Sequence, residues 1–237
     1  MIPGTIVIAI DGPAASGKSS TAHWVASSLG IRHIDSGALY RAATALALQS
    51  GIPPEEWSAE SILGTAAAIT LEPTETSFAP MAAGSFLGDW IRGPDVTRHV
   101  SRVASIPEVR LWVNAQVRLT AQGRSVVIDG RDIGTVVFPD ADLKIFLVAD
   151  PWERARRRLA QQHGRRATDE EIAEETERLV RRDARDATQT VQAKDSVLVD
   201  TTYLTQAEQV DRIVALAHAV THRADESSGV DDPGQPG

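Results

Sequence analysis

The hydrophobic pattern of the chain consists of short apolar runs that alternate with longer segments of helical periodicity. The run at 5–10 has no polar alternation, which is typical of a strand buried on both faces of a parallel sheet. Comparable runs lie at 31–34, 125–128, 143–148 and 196–199. Helical segments are predicted at 18–29, 36–49, 108–121, 152–162, 168–187 and 205–221. This alternation predicts an α/β fold in three layers, α/β/α, around a five-stranded parallel sheet.

Two segments interrupt this alternation of strands and helices, and a third lies after the last predicted helix. Residues 64–95 are rich in alanine, proline and glycine, so we interpret them as part of an inserted subdomain with weak strands near 69–71 and Phe86. Residues 151–190 are helical and carry ten arginines against nine acids. The acidic, Gly- and Pro-containing tail at 224–237 is predicted to be disordered.

Composition narrows the class of protein. The chain has 237 residues, 42% of them hydrophobic, and its net charge of −8 argues against a nucleic-acid binder. It contains no cysteine, so disulfides and thiol nucleophiles are excluded. A secretion signal is missing from the given sequence, and no apolar run reaches membrane-spanning length. We therefore expect a cytoplasmic protein without a membrane partner.

A phosphate-binding loop follows the first predicted strand, where G-x-x-x-x-G-K-[ST] is matched from Gly12 to Ser19. Its glycines let the backbone turn around a phosphate, and the following helix presents its positive end to the anion. Lys18 is one of only three lysines in the chain and would contact the β- and γ-phosphates, while the Ser19 hydroxyl could bind Mg²⁺. The residues predicted to bind ATP are Gly12, Pro13, Ala14, Ala15, Ser16, Gly17, Lys18, Ser19 and Ser20.

The phosphate-binding loop alone does not identify the reaction. A GTPase would need a guanine-reading [NT]-K-x-D, and no lysine of this chain follows Asn or Thr. A motor-type ATPase is difficult to fit into so short a chain, so a kinase of a small substrate is favoured. Three polar clusters could bind that substrate, at 35–41, 129–132 and 182–186. The first two follow predicted strands, whose carboxyl ends face the ligand crevice of a parallel sheet.

Together these segments resemble the bacterial cytidylate kinase family, the CMP and dCMP kinases. The resemblance rests on I-D-G-P-A-A-S-G-K-S-S, D-S-G-A-L-Y-R, R-D-A-R-D and above all I-D-G-R-D-I-G-T-V-V-F-P-D-A, and it covers about residues 5–220. It implies transfer of the γ-phosphoryl of ATP to CMP or dCMP with Mg²⁺, giving ADP and CDP or dCDP. It also implies one P-loop kinase domain over 1–223, for which we expect a monomer. Its parts are a core of 1–63, 106–151 and 191–223, a monophosphate-binding insert at 64–105 and a mobile lid at 152–190.

The same resemblance assigns roles to individual side chains. Lys18, Arg131 and Arg41 would be the catalytic cations, with Arg41 and Arg131 on the CMP phosphate. The other residues implied to bind CMP are Ser36, Ser101, Arg110, Asp132, Arg182 and Asp186. Cytosine carries an N4 amine donor, for which the Asp132 carboxylate is a natural partner, whereas the O4 acceptor of uracil is not.

The lid sequence departs from the family pattern at Gln189, where the family has an arginine, and several residues are missing after it. A neutral amide in place of a phosphate-facing cation predicts a lower kcat, unless Lys194 or Arg185 compensates. One or two of Arg154, Arg156, Arg157 and Arg158 are expected to reach ATP. The rival hypotheses are a kinase for UMP or AMP, and a regulatory module that binds nucleotide without turnover.

Overall fold

The computed structural model describes residues 5–228 of the chain. Its strands are β1 (Val7–Asp11), β2 (Arg32–Asp35), β3 (Ile69–Pro73), β4 (Ser77–Ala82), β5 (Ser85–Phe86), β6 (Val126–Asp129), β7 (Leu143–Val148) and β8 (Val197–Asp200). Five of them pair in parallel in the order β2-β6-β1-β7-β8. The five apolar runs in the sequence thus form the parallel sheet that they predict.

The sheet is larger than the sequence indicates. β4 adds to β2 in parallel through His33↔Ser77 and Ile34↔Phe78, and β3 and β5 flank β4 in antiparallel pairings. Strands of the alanine- and proline-rich segment, of which β4 was not predicted, extend the predicted five-stranded parallel core within the described chain. The physical reason is that β4 buries alternate residues and closes the open edge of β2.

The helices that surround the sheet are α1 (Lys18–Leu29), α2 (Ser36–Gln49), α3 (Ala59–Ala66), α4 (Pro94–Ala104), α5 (Pro107–Ala121), α6 (Pro151–His163), α7 (Asp169–Asp186) and α8 (Gln206–Ser228). Six of them match predicted helices, whereas α3 and α4 were missed. One face of the sheet packs on α2, α3 and α5, and the other packs on α1 and α8. α6 and α7 lie against each other and form a unit that we call the α6–α7 hairpin.

The last helix is longer than predicted. α8 ends at Ser228, so residues 224–228 are helical rather than part of a disordered tail. These residues contain neither glycine nor proline, and the first such residue is Gly229. The rest of the predicted tail, 229–237, lies outside the described residues. Across residues 5–228, no helix combines the length and apolar character needed to cross a membrane.

Aspartates end three neighbouring strands of the sheet and bring polar groups to one edge. Asp35 and Asp129 stand opposite each other in the register of β2 and β6, and Asp11 ends β1 between β6 and β7. The apolar residues before them are buried, so each carboxylate is fixed at the carboxyl end of a rigid strand. This edge is the place where ligands of open parallel sheets bind.

Candidate active site

A cavity of about 1150 Å³ opens at this edge of the sheet. Its walls come from the phosphate loop, α2, α4, α5, the turn after β6 and the α6–α7 hairpin. The sequence-predicted residues that line it are Ala14, Ala15, Ser16, Gly17, Lys18, Ser19, Ser20, Ser36, Arg41, Ser101, Arg110, Arg131, Asp132, Arg182 and Asp186. Gly12 and Pro13 do not line the cavity, and their carbonyl groups accept hydrogen bonds from Arg131 and Lys18.

The backbone of the phosphate loop depends on its glycines. Gly12 has φ +149°, and a Cβ atom there would lie 2.1 Å from the carbonyl oxygen of Leu147. Gly17 has φ +90° and directly precedes α1, whose first amides have no side-chain cap. Uncapped amides and the helix dipole leave this end of α1 free to bind an anion. The local structure is therefore that of a phosphate site.

Lys18 is buried at the base of the loop. Its Nζ donates to the carbonyl oxygen of Pro13 at 2.7 Å, so the side chain curls back along the loop. Burial, aided by the nearby positive charge of Arg131, lowers the pKa of Lys18 to about 7. An anionic phosphate beside Nζ would restore the charged form, which makes this lysine sensitive to an anion in the cavity.

A buried chain of hydrogen bonds runs from Ser19 through Asp129 to His33. The Ser19 hydroxyl donates to Asp129 Oδ2 at 2.7 Å, and His33 Nε2 lies 2.7 Å from Asp129 Oδ1. Burial opposes both charges, but their mutual attraction raises the pKa of His33 and lowers that of Asp129. Asp129 lies in the polar cluster predicted at 129–132 but was assigned no role there, and His33 was not predicted as a site residue.

Asp11 holds the turn after β6 at the residues that directly follow Arg131 and Asp132. Its two carboxylate oxygens accept the backbone N–H groups of Ile133 at 2.8 Å and Gly134 at 2.7 Å. Burial raises the pKa of Asp11 to about 6, although both hydrogen bonds act in the opposite direction. Because Asp11 directly precedes Gly12, one residue ties the phosphate loop to the segment that contains Asp132. The sequence showed Asp11 only as the end of a strand.

Asp132 and Arg110 form an ion pair on the opposite side of the cavity. Arg110 Nη1 also donates to Gln189 Oε1 at 2.8 Å and to the Ala104 carbonyl at 3.2 Å. Its guanidinium lies 5.9 Å from the centre of the Tyr40 ring. Gln189, the position that departs from the family pattern, thus contacts the pair predicted to bind cytosine. Lys194 and Arg185 are exposed and do not line the cavity, so neither replaces a cation there.

Three arginines converge between the two sides of the cavity. Arg131 donates to the Gly12 carbonyl at 2.7 Å and to Asp186 at 3.2 Å. Burial lowers the pKa of Arg41 and that of Arg182 to about 10, and neighbouring arginines contribute. The Nε atom of Arg182 is buried without a hydrogen-bond partner in the described chain. Clustered and incompletely paired guanidinium groups are the expected surroundings of a phosphate or another anion.

The four arginines of α6 have different roles. Arg157 and Arg158 line the cavity, where Arg157 also donates to the Thr201 carbonyl and Arg158 pairs with a glutamate of α7. Arg156 forms a surface pair with Glu153. Arg154 is buried behind the phosphate loop. Two of the four, Arg157 and Arg158, therefore face the cavity, and contact of either with ATP stays a prediction.

The strand order, the loop after β1 and the position of Lys18 and Ser19 at the start of α1 define a P-loop nucleotide-binding protein of the α/β class. A sequence profile described as cytidylate kinase matches residues 8–219. The chain belongs to the cytidylate kinase family.

Individual relatives agree with this assignment. A cytidylate kinase of Corynebacterium efficiens is 37% identical over 95% of this chain and 100% of the relative. A cytidylate kinase of Lactiplantibacillus plantarum is 38% identical over 94% and 98%. A bifunctional pantoate ligase/cytidylate kinase of Synechococcus sp. is 42% identical over 92% of this chain, and the chain spans only 42% of its length. An uncharacterized protein from Eubacterium ventriosum shares the fold alone, with 12% identity and a TM-score of 0.50 over 91% and 99% of the two chains.

Proposed function

We propose that this protein transfers the γ-phosphoryl group of ATP to CMP or dCMP, giving ADP and CDP or dCDP. The observation that carries the proposal is a single cavity with a phosphate loop on one side and the Arg110–Asp132 pair on the other. Arg41, Arg131 and Arg182 lie between the two sides, where phosphates of donor and acceptor would meet. Family membership supports the same reaction.

The chemistry requires alignment and cations more than a base. The attacking atom is a phosphate oxygen that is already ionised at neutral pH, so no general base has to remove a proton. Lys18 would stabilise charge on the ATP phosphates, and Arg41 and Arg131 would hold the acceptor phosphate in line. The bond between Arg131 and the Gly12 carbonyl supports this assignment because it places that guanidinium directly beside the phosphate loop.

The base would be recognised by Asp132, whose carboxylate is oriented by the ion pair with Arg110. A carboxylate accepts a hydrogen bond from the N4 amine of cytosine, whereas the O4 atom of uracil would face it as a second acceptor. Ser101 and Ser36 lie in the same cavity and complete the acceptor side. Arg182 and Asp186 would contact the sugar. We assign segment 64–105 to monophosphate binding and segment 152–190 to a lid within one domain over 1–223.

Magnesium fits the donors at the loop. The Ser19 hydroxyl donates to the Asp129 carboxylate at 2.7 Å, and both are hard oxygen groups of the kind that Mg²⁺ prefers as ligands. No cluster of three or more His, Asp or Glu residues able to hold a metal occurs among the described residues. The remaining ligands would therefore come from ATP phosphates and water. Bound Mg²⁺ would neutralise charge on those phosphates.

A coupled assay of ADP release with CMP, dCMP, UMP and AMP tests the proposal. We expect turnover with CMP or dCMP to exceed turnover with the other two acceptors. A preference for UMP or AMP would favour the first rival, and ATP binding without turnover of any acceptor would favour a regulatory module. A cytoplasmic location and a monomeric state stay predictions.

A further inference from the structure

An arginine of α6 and an aspartate of α7 enclose one residue of the phosphate loop. Arg154 Nη1 donates to the Ala14 carbonyl oxygen at 2.7 Å, and Asp183 Oδ1 accepts the Ala14 N–H at 3.0 Å. Arg154 Nη1 also lies 2.6 Å from Asp183 Oδ2, which closes the arrangement. A bond from Arg154 Nε to the Ala149 carbonyl at 3.1 Å fixes the guanidinium from behind. Both polar groups of Ala14 are thus held by the α6–α7 hairpin.

The arrangement determines the direction of the next backbone amide. The peptide between Ala14 and Ala15 is planar and trans, so its N–H points opposite to its C=O. Arg154 is buried, with 4% of its surface exposed, and does not line the cavity. Because Arg154 binds the Ala14 C=O, the Ala15 N–H points away from Arg154 and towards the cavity, which Ala15 lines. Within the described residues the Ala15 N–H donates to no other group. It is therefore available to an anion.

The same peptide carries backbone strain. Ala15 has φ +56°, a left-handed conformation that residues with a side chain adopt at a cost. The bonds from Arg154 and Asp183 act on the residue immediately before it and oppose relaxation to ordinary φ values. Strained backbone persists where its surroundings over-determine it, and such positions cluster at ligand sites.

We infer that Arg154 and Asp183 are positioning residues for ATP: they hold the Ala14–Ala15 peptide so that its N–H faces a bound phosphate. This inference rests on the proposed function, because it requires ATP in the phosphate loop. Asp183 neutralises Arg154, so the pair acts through orientation rather than net charge. The pair also joins the α6–α7 hairpin to the phosphate loop through its bonds to Ala14. Asp183 directly follows Arg182, which lines the cavity, so the loop is linked to that side of the cavity as well.

Two substitutions separate this role from plain stabilisation. Arg154→Met removes the donors to Ala14 at similar side-chain length. Asp183→Asn keeps an acceptor for the Ala14 N–H but presents an amide N–H to Arg154. The matched control is Arg165→Met, because Arg165 pairs with Glu171 in the same hairpin, at an exposed position outside the cavity.

ATP binding is measured by calorimetry without an acceptor, together with urea unfolding and the KM values for ATP and CMP. We expect the Kd for ATP to rise about tenfold in Arg154→Met and about threefold in Asp183→Asn, as for the loss of one charge-assisted hydrogen bond. The KM for CMP should change less than about twofold, and Arg165→Met should leave the Kd for ATP at the wild-type value.

The inference is overturned if Asp183→Asn and any folded Arg154→Met lose stability while their Kd for ATP stays at the wild-type value. Equal increases for ATP and CMP would overturn it as well, because they would indicate general loosening of the cavity. If Arg154→Met does not fold, Asp183→Asn alone decides. Failure of the wild-type protein to bind ATP would overturn the proposed function and this inference together.

Discussion

Gly12→Ala is a sharp test of the phosphate loop, because the structure leaves no room for a methyl group at this residue. The added Cβ would lie 2.1 Å from the Leu147 carbonyl oxygen, which is backbone of the interior strand β7 and cannot rotate away. Gly12 also has φ +149°, which disfavours any residue with a side chain. Either the loop or β7 must move by about 1 Å or more to restore an ordinary contact.

The expected cost has two parts. Overpacking against a rigid neighbour destabilises by about 1–3 kcal/mol. Placing alanine in glycine-only backbone space adds about 1–3 kcal/mol. Because the shift occurs within the loop that binds phosphate, kcat/KM for ATP should fall about 100-fold or more, as a displacement of this size does in other enzymes.

Gly30→Ala is the matched control. Gly30 has φ +69° but no atom lies within 4 Å of its added Cβ, so only backbone strain of about 1–2 kcal/mol is expected. Both variants are compared by urea unfolding and by ADP release at varied ATP concentration. Our reasoning about the loop is refuted if Gly12→Ala keeps wild-type kcat/KM, or if both variants lose activity equally.

Three further predictions concern single side chains. Asp132→Asn should narrow the preference for CMP over UMP about tenfold, measured as a ratio of kcat/KM values, and an unchanged ratio would contradict its role. Gln189→Ala should raise the KM for CMP about fivefold by removing an acceptor from Arg110, with no change in the Kd for ATP in calorimetry. Because the pKa of Lys18 is lowered to about 7, ATP binding should take up a proton and weaken as the pH rises from about 7 to 9. Calorimetry in buffers of different ionisation enthalpy counts that proton, and zero uptake would contradict the assignment.

The parallel core was predictable because buried strands leave uninterrupted apolar runs, as at β1 and β6 before their final aspartates. β4 escaped prediction because Pro80 lies within it, and proline in an apparent strand is evidence against a ladder. The structure accommodates Pro80 in a short strand whose neighbours β3 and β5 are themselves short. α3 was missed although its Ser58–Ser61 capping box was present in the sequence, because alanine and glycine around it dilute the apolar pattern.

The candidate site also has a part that was predictable from the sequence and a part that was not. The phosphate loop was predictable because its function requires consecutive residues with particular backbone properties. The contact between Asp183 and Ala14 was not predictable, because it joins residues 169 positions apart and leaves no local pattern. Arg154 carried no mark that distinguished it from the other arginines of α6. His33 read as an ordinary strand residue until the register of β2 and β6 placed it beside Asp129.

The central claim is that one cavity aligns the γ-phosphate of ATP with the phosphate of a cytidine nucleotide. Initial rates of ADP release with CMP, dCMP, UMP and AMP, each varied at saturating ATP and Mg²⁺, test it most directly. The account predicts that kcat/KM for CMP or dCMP exceeds that for UMP by about tenfold or more. Equal or higher kcat/KM for UMP or AMP, or ATP binding without phosphoryl transfer to any acceptor, would contradict it.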